Sequence, residues 1–486
     1  MASLEEIREQ RLKKLKRLQE EGIEPYPISS RKTHTIAAVL DIFGKLQTDK
    51  KPVVLAGRLM AKRGQGAIIF FDLFDGTDKI QGVLKEDSTK DFKLFSEILD
   101  IGDFIEVKGT LFTTKRGEKS IEAREARMLT KSLRPLPEKY HGLQDMEERF
   151  RRRYLDLLTS EETRERFKTR FAITRAIRKF LDKKGFQEVE TPILQPIAGG
   201  ANAMPFKTHH NFLDIDLYLR IAQEIYLKEL LIGGLPKVYE IGRNFRNEGI
   251  DVTHNPEFTT VELYESFSDA TKFRRVIESL SKIIVKEVYG GTRVSYNGNE
   301  IDFEKKFATV QYLKLFKEKI NFEAQKATYE KTVAKAKELG VVISEGDSKE
   351  KLLDGIYKKA IRPSLIQPTF VTDYPVQYLP LAKRISKNRE LADAFQLVVG
   401  GLELAKAFSE LNDPLDQRER FNLEEKNKQR GDKEAQTYDK EFVEALEYGM
   451  PPAAGAGLSI DRFTMLLTDT KNIREVILFP TLRPRS

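Results

Sequence analysis

The chain has 486 residues, 40% of them hydrophobic and 33% charged, a composition typical of a globular protein with substantial cores and, by its length, of about three structural units. With no cysteine and only five histidines, the sequence excludes disulfides and thiolate metal sites, argues against a structural zinc and is compatible with a cytoplasmic location. It lacks both an apolar stretch of about 18 residues and a signal-peptide core, so no membrane segment is predicted, and the net charge of +8 is only weak support for a polyanionic partner.

The first predicted element is a basic amphipathic helix over residues 3–22, within a helical extension that covers residues 1–52. Apolar side chains recur at helical spacing, and arginines and lysines are interleaved with them. The basic face is either solvated or in contact with RNA. A segment with two prolines, Gly-Ile-Glu-Pro-Tyr-Pro, ends the helix.

Residues 53–132 carry five short strand patterns separated by Gly and Asp turns, with a helix-like stretch before the fourth. The predicted strands are 53–59, 67–73, 80–84, 104–109 and 120–128. This pattern predicts a small closed barrel such as an OB-fold, a type that commonly stacks single-stranded bases on exposed aromatic side chains. Phe70 and Phe71 alternate, so only one of them can point outward and the other belongs to the core.

An arginine-rich linker is predicted over residues 133–160, and a second large unit over residues 161–486. That unit opens with a helix at about 161–184, with Phe167, Phe171, Thr174, Ile177 and Leu181 on one face. Gly185 sits where a left-handed residue ends a helix. A strand then runs from 186 to a proline at 192.

A β-hairpin at residues 238–264 organises the second unit. Strand-forming residues lead into and out of a polar loop that holds Arg246, Glu248 and His254. Glu262 and Tyr264 share one face of the outgoing strand, and the hairpin brings Arg246 close to Phe258. A cation, an aromatic ring and a carboxylate on one face suit a nucleotide and a charged small molecule. The alternative is a surface hairpin with exposed ion pairs.

The remainder of the chain begins with a lysine-rich helical insertion at about 304–365, for which we predict no chemical role. Strand patterns follow at 369–375, 395–403 and 407–410. Near the end, residues 455–467 predict a strand, an arginine (Arg462) and a buried helix.

These motifs together resemble the class II aminoacyl-tRNA synthetases, in the form that lysyl-tRNA synthetases use. Phe-Arg-Asn-Glu-Gly at 245–249 with His-Asn-Pro-Glu-Phe at 254–258 resembles motif 2. The helix, glycine, strand and proline at 161–192 resemble motif 1, and residues 455–467 resemble motif 3. The resemblance spans nearly the whole chain. It implies an α+β protein: an N-terminal OB-fold β-barrel, then a class II catalytic domain with an antiparallel sheet flanked by helices, dimerising through motif 1.

The activity that the resemblance implies is lysine–tRNA ligation. L-lysine reacts with ATP to give lysyl-adenylate, and the lysyl group then passes to the 3′ end of tRNA(Lys), with Mg2+ as cofactor. Arg246 would bridge the α-phosphate and the lysine carboxylate, and Arg462 would hold the γ-phosphate. These two arginines are the implied catalytic residues. Because the attacking carboxylate is already an anion, positioning and charge stabilisation suffice and no general base is required.

Further roles carry over from the resemblance, one position at a time. For ATP, Phe258 would stack on one side of the adenine and Arg462 on the other, and Glu248 would accept a hydrogen bond from the adenine amine. His254 would lie near the β- and γ-phosphates, and Glu403 would bind Mg2+.

For lysine, Gly200 and Glu224 would bind the α-amino group. Glu262, Tyr264 and Glu410 would surround the ε-ammonium, and Phe408 would pack along the methylenes. For the anticodon, Phe70 would stack on a base, and Arg63 and Gln81 would contact base edges.

Two carboxylates around one buried ammonium make physical sense, because a shorter or neutral side chain would leave them desolvated and unpaired. For Glu262 or Glu410 alone, a structural ion pair is the alternative.

Five positions depart from the pattern of the resembled family. Gln396 stands in place of a second acidic metal ligand, and Lys406 in place of an asparagine near the substrate carboxylate, which the lysine either pairs with or displaces. The others are Ser459 for a glycine of motif 3, Met204 for an arginine and Gln223 for a proline. Three alternatives stay open. One is a non-catalytic tRNA-binding or regulatory protein, which the departures at Gln396 and Lys406 would permit; the others are a paralogue that lysylates a translation factor, and aspartyl or asparaginyl specificity.

Overall fold

The computed structural model describes residues 3–64, 66–137, 143–344, 347–429 and 435–485. The chain forms two compact units, Met1–Gln144 and Asp145–Ser486. The domain boundaries predicted from the sequence therefore change in two places. Residues 1–52 belong to the barrel unit, and the predicted linker ends at 144 rather than 160, because residues 145–159 form two short helices of the second unit.

In the described parts of the first unit there are four helices and five strands. The helices are α1 (Leu4–Glu20), α2 (Ile36–Asp41), α3 (Phe43–Asp49) and α4 (Phe92–Ile98). The strands are β1 (Val53–Arg63), β2 (Ile68–Phe74), β3 (Lys79–Lys85), β4 (Phe104–Thr113) and β5 (Lys119–Thr130). The strands close into a barrel in the order β1-β2-β3-β5-β4, with only β3 and β5 parallel. The predicted five-stranded barrel is confirmed.

The N-terminal helices are part of the barrel's core. Leu18, Val39 and Phe43 are buried together with barrel residues such as Leu55 and Phe71. Helix α1 begins at a capping box, in which the Ser3 hydroxyl accepts from Glu6 N and the Glu6 carboxylate accepts from Ser3 N.

The basic face of α1 is tied to the barrel. The Arg11 guanidinium is buried and donates to the carbonyl oxygens of Ile101 at 2.9 Å and Ser132 at 3.0 Å. Lys14 Nζ lies 2.6 Å from Asp100 Oδ1, and Arg17 pairs with Glu97. The prediction of a solvated or RNA-contacting face is therefore wrong for Arg11 and Lys14, because intramolecular acceptors use their donors, whereas Arg17 stays exposed in a surface ion pair.

The second unit contains eleven helices and fourteen strands among the residues that the structure describes. The helices are α5 (Met146–Arg151), α6 (Arg153–Thr159), α7 (Glu161–Lys183), α8 (Glu224–Ile232), α9 (Ala270–Ile284), α10 (Tyr312–Ile320), α11 (Tyr329–Glu338), α12 (Lys349–Ile356), α13 (Pro414–Gln429), α14 (Lys440–Glu447) and α15 (Ile460–Leu467). The strands are β6 (Gln187–Glu188), β7 (Leu194–Gln195), β8 (Lys207–His210), β9 (Ile215–Leu219), β10 (Lys237–Phe245), β11 (Glu257–Ser266), β12 (Arg293–Tyr296), β13 (Asn299–Asp302), β14 (Ala308–Gln311), β15 (Thr369–Pro375), β16 (Arg384–Ile385), β17 (Asn388–Val399), β18 (Leu402–Ser409) and β19 (Ala453–Ser459). None of the helices in the described ranges is long and apolar enough to cross a bilayer.

The central sheet of this unit runs β14-β15-β17-β18-β19-β11-β10-β6, with β16 beside β17. All of its pairs are antiparallel except β14–β15 and β10–β6, which confirms the α+β class with an antiparallel sheet. Side chains alternate between the two faces of such a sheet. One face is the apolar core, where Val261, Leu397 and Ala456 pack with residues of α7, α9 and α15. The other face carries the polar residues.

Two predicted elements of this unit differ in detail. The strand after Gly185 shrinks to Gln187–Glu188, which pairs in parallel with β10. On α7, Phe171 is 46% exposed, because the buried stripe that packs with α9 and α15 runs through Ile173, Ile177 and Leu181.

The predicted insertion is attached to the sheet rather than separate from it. Its first residues form β14, and α10 and α12 pack on β15 and β17 through a cluster of buried tyrosines. Tyr312 and Tyr374 have ring centroids 4.6 Å apart. A single π-helical turn, Tyr357–Ile361, extends α12 and leads to Arg362.

Candidate active site

The polar face of the sheet places the candidate side chains in two adjacent rows. In the first row, Gln396, Lys406, Gly457 and Glu262 lie opposite one another on β17, β18, β19 and β11. In the second, Phe408, Gly455 and Tyr264 do the same two residues further along. Because directly opposed residues share a face, residues that are far apart in sequence meet on one surface.

One part of this surface, the acidic half, consists of Glu224, Lys228, Glu262, Tyr264 and Glu410. Lys228 is fully buried, with Nζ 2.6 Å from Glu224 Oε1 and 2.5 Å from Glu410 Oε2. The Tyr264 hydroxyl donates to Glu262 Oε2 at 3.1 Å. The predicted lysine-binding carboxylates are thus brought together, around a lysine of the protein itself.

Burial controls the titration of this half. Burial and the neighbouring Glu224 raise the pKa of Glu262 to about 7. Burial raises the pKa of Glu410 as well, although Lys228 opposes the shift. Burial lowers the pKa of Lys228, but Glu224 and Glu410 outweigh that effect and raise it above its ordinary value. The half holds three carboxylates against one ammonium and therefore suits a second cation.

Two glycines make room for these side chains. A Cβ at Gly455 would lie 2.2 Å from the Tyr264 ring and 2.4 Å from Glu410 Oε1. Gly200 has a φ of +89°, and its Cβ would meet those of Ala222 at 3.0 Å and Glu224 at 3.1 Å. The predicted proximity of Gly200 and Glu224 is therefore observed, and Phe408 lies beside this half with its ring 5.5 Å from Lys228 Nζ.

The other part, the cationic half, consists of Arg246, Arg362, Lys406, Arg462 and the single carboxylate Glu403. One Arg362 Nη lies 3.7 Å from Glu403 Oε2, and one Arg462 Nη donates to the Glu403 carbonyl oxygen at 3.1 Å. The Arg246 guanidinium lies 5.1 Å from the centroid of the Phe258 ring, as the hairpin predicted.

A β-bulge puts Glu403 on this surface. Val398 pairs with Glu403, whereas Leu397 pairs with Ala405, so Leu404 is an extra residue in β18. Without the bulge, Glu403 and Lys406 would point to opposite faces, since they are three residues apart. Because of the bulge, both lie on the polar face.

Burial and charge crowding together set the pKa values of this half. Burial alone would raise the pKa of Glu403, but Arg462, Arg362, Lys406 and Lys358 lower it below the ordinary value. Burial lowers the pKa of Arg462 and of Lys406, and Arg246 lowers both further. Like charges held this close favour an anion between them.

The loop of the hairpin positions the remaining predicted ATP contacts. Glu248 and His254 are both exposed, and His254 Nδ1 lies 2.9 Å from Asp251 Oδ2. The loop is anchored by Arg246 N, which donates to the Pro256 carbonyl, and by Asn247 N, which donates to the Met204 carbonyl at 2.7 Å. Position 204 thus supports the loop with its backbone.

Gln396 does not fit the role of a metal ligand. Its Oε1 accepts hydrogen bonds from the Tyr374 hydroxyl at 2.8 Å and from the Tyr357 hydroxyl at 3.5 Å. The carboxylate expected with it, Glu403, lies among cations that repel a metal ion. The residues present therefore do not fit the Mg2+ site formed by Glu403 and position 396 that the resemblance implies.

Two other departures have local structural roles. Gln223 is buried, and its Oε1 accepts from Asn244 Nδ2 at 2.9 Å and from the Thr260 hydroxyl at 3.3 Å. Ser459 caps α15, since its hydroxyl accepts from Arg462 N at 3.2 Å. The serine thus fixes the turn of helix that carries Arg462.

On the barrel of the first unit, the predicted anticodon contacts share the outer surface. Phe70 is 36% exposed whereas Phe71 is fully buried, which settles the alternation in favour of Phe70 pointing outward. Arg63 lies opposite Phe70 and near Asp72 at 3.6 Å. Gln81 lies opposite Asp72 and donates to the Ser120 hydroxyl at 2.9 Å.

Sequence reasoning missed Lys228, Arg362, Tyr357 and Tyr374. The i, i+4 spacing of Glu224 and Lys228, which both lie on α8, was a usable signal for the first. No local signal marked the other three: packing of the helical insertion brings Tyr357 and Arg362 to the sheet, and Tyr374 on β15 meets Gln396 only through the pairing of β15 with β17.

Comparison with known proteins agrees with this architecture. Residues 145–483 match the family model of class II tRNA synthetases (D, K and N), and residues 53–129 match that of the OB-fold nucleic acid binding domain. A curated lysine–tRNA ligase of Pelotomaculum thermopropionicum is 48% identical over 99% of this chain and 96% of its own length. One from Carboxydothermus hydrogenoformans is 48% identical over 99% of each chain. The chain therefore belongs to the class II tRNA synthetases of the D, K and N group.

Proposed function

We propose that this protein is a lysine–tRNA ligase, which activates L-lysine with ATP and transfers the lysyl group to the 3′ end of tRNA(Lys). The observation that carries the proposal is the division of one sheet face into an acidic and a cationic half. A substrate with a positive end and a negative end would lie across the boundary. The relatives at 48% identity named lysine–tRNA ligase support the choice of amino acid.

The acidic half accounts for selection of lysine. Three buried carboxylates face one internal ammonium, so a second ammonium would complete the charge balance. Glu262, Tyr264 and Glu410 are the proposed contacts of the ε-ammonium, and Glu224 is that of the α-amino group. An uncharged or shorter side chain would leave buried carboxylates unpaired, at a cost of about 1–3 kcal/mol each.

The cationic half accounts for the first chemical step. A lysine carboxylate oxygen forms a bond to the α-phosphorus of ATP, and the bond from that phosphorus to the bridging oxygen breaks, releasing diphosphate with the electron pair. Arg246 and Arg462 are proposed to contact the phosphates and to stabilise the charge that develops on them. Phe258, Glu248 and His254 remain the proposed contacts of the nucleotide. We propose that Mg2+ enters as the counter-ion of the nucleotide.

The barrel accounts for recognition of tRNA in this proposal. Phe70, Arg63 and Gln81 would contact the anticodon, and use of tRNA in translation makes the cytoplasm the proposed location. Replacing Phe70 by alanine is expected to weaken binding of a tRNA(Lys) anticodon stem-loop by about 1–3 kcal/mol. It should leave ATP–diphosphate exchange unchanged. Equal affinity of the wild type and Phe70→Ala for the stem-loop would contradict a contact between Phe70 and the anticodon.

We also propose a homodimer through the motif 1 segments. Apolar side chains on or beside those segments are exposed, including Phe171, Ile193 and Leu194, and a second copy would cover them. Sedimentation equilibrium is expected to give twice the mass of the chain.

The test of the proposed function is ATP–diphosphate exchange with each of the twenty amino acids. Exchange that depends on lysine alone is the expected result. Exchange with aspartate or asparagine would contradict the assignment of the acidic half. A folded protein without exchange for any amino acid would favour the alternative of a tRNA-binding protein that lacks the activity.

A further inference from the structure

Gln396 and Lys406 form a pair across two neighbouring strands of the site. They are directly opposed on β17 and β18, so their side chains leave the same face of the sheet. Gln396 is neutral, and the two tyrosine hydroxyls hold its oxygen. This opposed pair therefore contributes an amide and an ammonium to the site, and no carboxylate.

The charges around Lys406 suit a polyanion better than a metal ion. Glu403, Glu224 and Asp354 attract its ammonium, and Arg246 repels it. Asp354 already pairs with Lys358 at 2.7 Å, and Glu224 with Lys228 at 2.6 Å. The Glu403 carboxylate lies 3.7 Å from Arg362, and the charge of Arg462, whose guanidinium donates to the Glu403 backbone carbonyl, lowers its pKa. Each of these three carboxylates therefore already has a cation beside it, whereas the cations of the cationic half outnumber its single carboxylate.

Mg2+ requires oxygen ligands and a surplus of negative charge in its surroundings. A triphosphate brings about four negative charges, and either bound cations or side-chain cations can offset them. At this face the chain supplies Arg246, Arg362, Lys406 and Arg462 for that purpose and has an amide at position 396.

We propose that Lys406, paired with Gln396, replaces a protein-held Mg2+ ion: its ammonium contacts the phosphates of ATP directly, and the protein binds ATP without a metal ion on its own carboxylates. This inference rests on the proposed function, because it places ATP on this face. The amide at 396 matters because a carboxylate there would pair with Lys406 and withdraw it from the phosphates.

The test measures binding of α,β-methylene-ATP by calorimetry in EDTA and in Mg2+, and counts bound Mn2+ per site by equilibrium dialysis. In EDTA, Lys406→Asn is expected to weaken analogue binding by about 10- to 100-fold, and Lys406→Arg to retain most of it. The double variant Gln396→Glu with Lys406→Asn is expected to bind one more Mn2+ ion per site than the wild type. Lys387→Asn, at an exposed lysine between β16 and β17, is the matched control and should behave as wild type.

The possible failures are distinguishable. Wild-type binding that requires Mg2+ and does not respond to Lys406→Asn, or an unchanged Mn2+ count in the double variant, would overturn this inference alone. Absence of analogue binding by the folded wild type in both conditions would overturn the proposed function and this inference with it.

Discussion

The acidic half of the site contains its own counter-ion, whereas the cationic half gathers like charges around one carboxylate. In the acidic half, Lys228 reaches both Glu224 and Glu410, and Glu262 accepts from Tyr264. In the cationic half, burial lowers the pKa values of Lys406 and Arg462, and the nearby Arg246 lowers both further. Ion pairs within the protein stabilise the acidic half, whereas the cationic half has more cations than carboxylates and suits an anionic ligand.

This difference separates effects on stability from effects on activity. Removing a charge from the acidic half leaves a buried partner without its counter-ion, so the free energy of unfolding should decrease. Removing a cation from the cationic half relieves repulsion in the free protein, so the free energy of unfolding should change little while catalysis is lost.

The largest expected effect is that of Lys228→Met. It leaves Glu224 and Glu410 buried without their cation and should lower the free energy of unfolding by about 3–5 kcal/mol. Urea unfolding measures the loss. Lys16→Met, in an exposed pair with Glu20, is the control and should change stability by less than about 0.5 kcal/mol. A small loss for Lys228→Met would mean that this half does not depend on its internal ammonium.

Arg462→Ala tests the cationic half. Lysine-dependent exchange should fall by about 100- to 1000-fold, since one stabilising cation is lost at the phosphates, while the unfolding free energy stays near that of the wild type. Arg275→Ala, at an exposed position on α9, should leave both unchanged. If Arg462→Ala unfolded the protein instead, the contrast between the halves would be broken.

Gly455→Ala tests the space within the acidic half. Its Cβ would lie 2.2 Å from the Tyr264 ring and 2.4 Å from Glu410 Oε1, so we expect a loss of stability of about 1–3 kcal/mol and weaker lysine binding. Gly457→Ala is the matched control two residues along the same strand. Its Cβ would lie 3.8 Å from Glu262, so its unfolding curve should match that of the wild type. Equal stability of the two variants would contradict the crowding at Gly455.

The smallest expected effect is a dependence of lysine binding on pH. Burial and Glu224 raise the pKa of Glu262 to about 7 in the free protein, and a bound ammonium favours the ionised carboxylate. Affinity should therefore increase as pH rises through 7, by about tenfold between about pH 6 and pH 8. Calorimetric titration measures it, and Glu262→Gln should reduce the slope to the contribution of Glu410, whose pKa burial also raises. A lysine affinity that decreases as pH rises through 7 would contradict the assignment of Glu262 to the lysine site.

Much of the site follows from local patterns in the sequence. The hairpin placed Arg246 beside Phe258 and put Glu262 and Tyr264 on one face, and both are observed. Alternation left Phe70 or Phe71 to point outward, and Phe70 does. These predictions held because the two-residue period of a strand and the closure of a hairpin are local properties.

Other features depended on contacts that no local pattern records. The prediction of a solvated basic face on α1 was wrong for Arg11 and Lys14, because backbone carbonyls and Asp100, about 90 residues further along the chain, accept from them. The insertion was predicted to be chemically irrelevant, yet it supplies Tyr357 and Arg362 to the site.

The sequence by itself thus determined the barrel, the hairpin, the motif residues and the type of charge that each carries. Only the tertiary structure decided which of those charged residues pair with one another and on which face of the sheet they lie. The pairing of Lys228 with Glu410 joins a helix to the end of β18, and the bulge at Leu404 turns Glu403 to the side of Lys406. Both depend on packing between distant segments, because the register of a sheet and the burial of a charge are set by the whole domain.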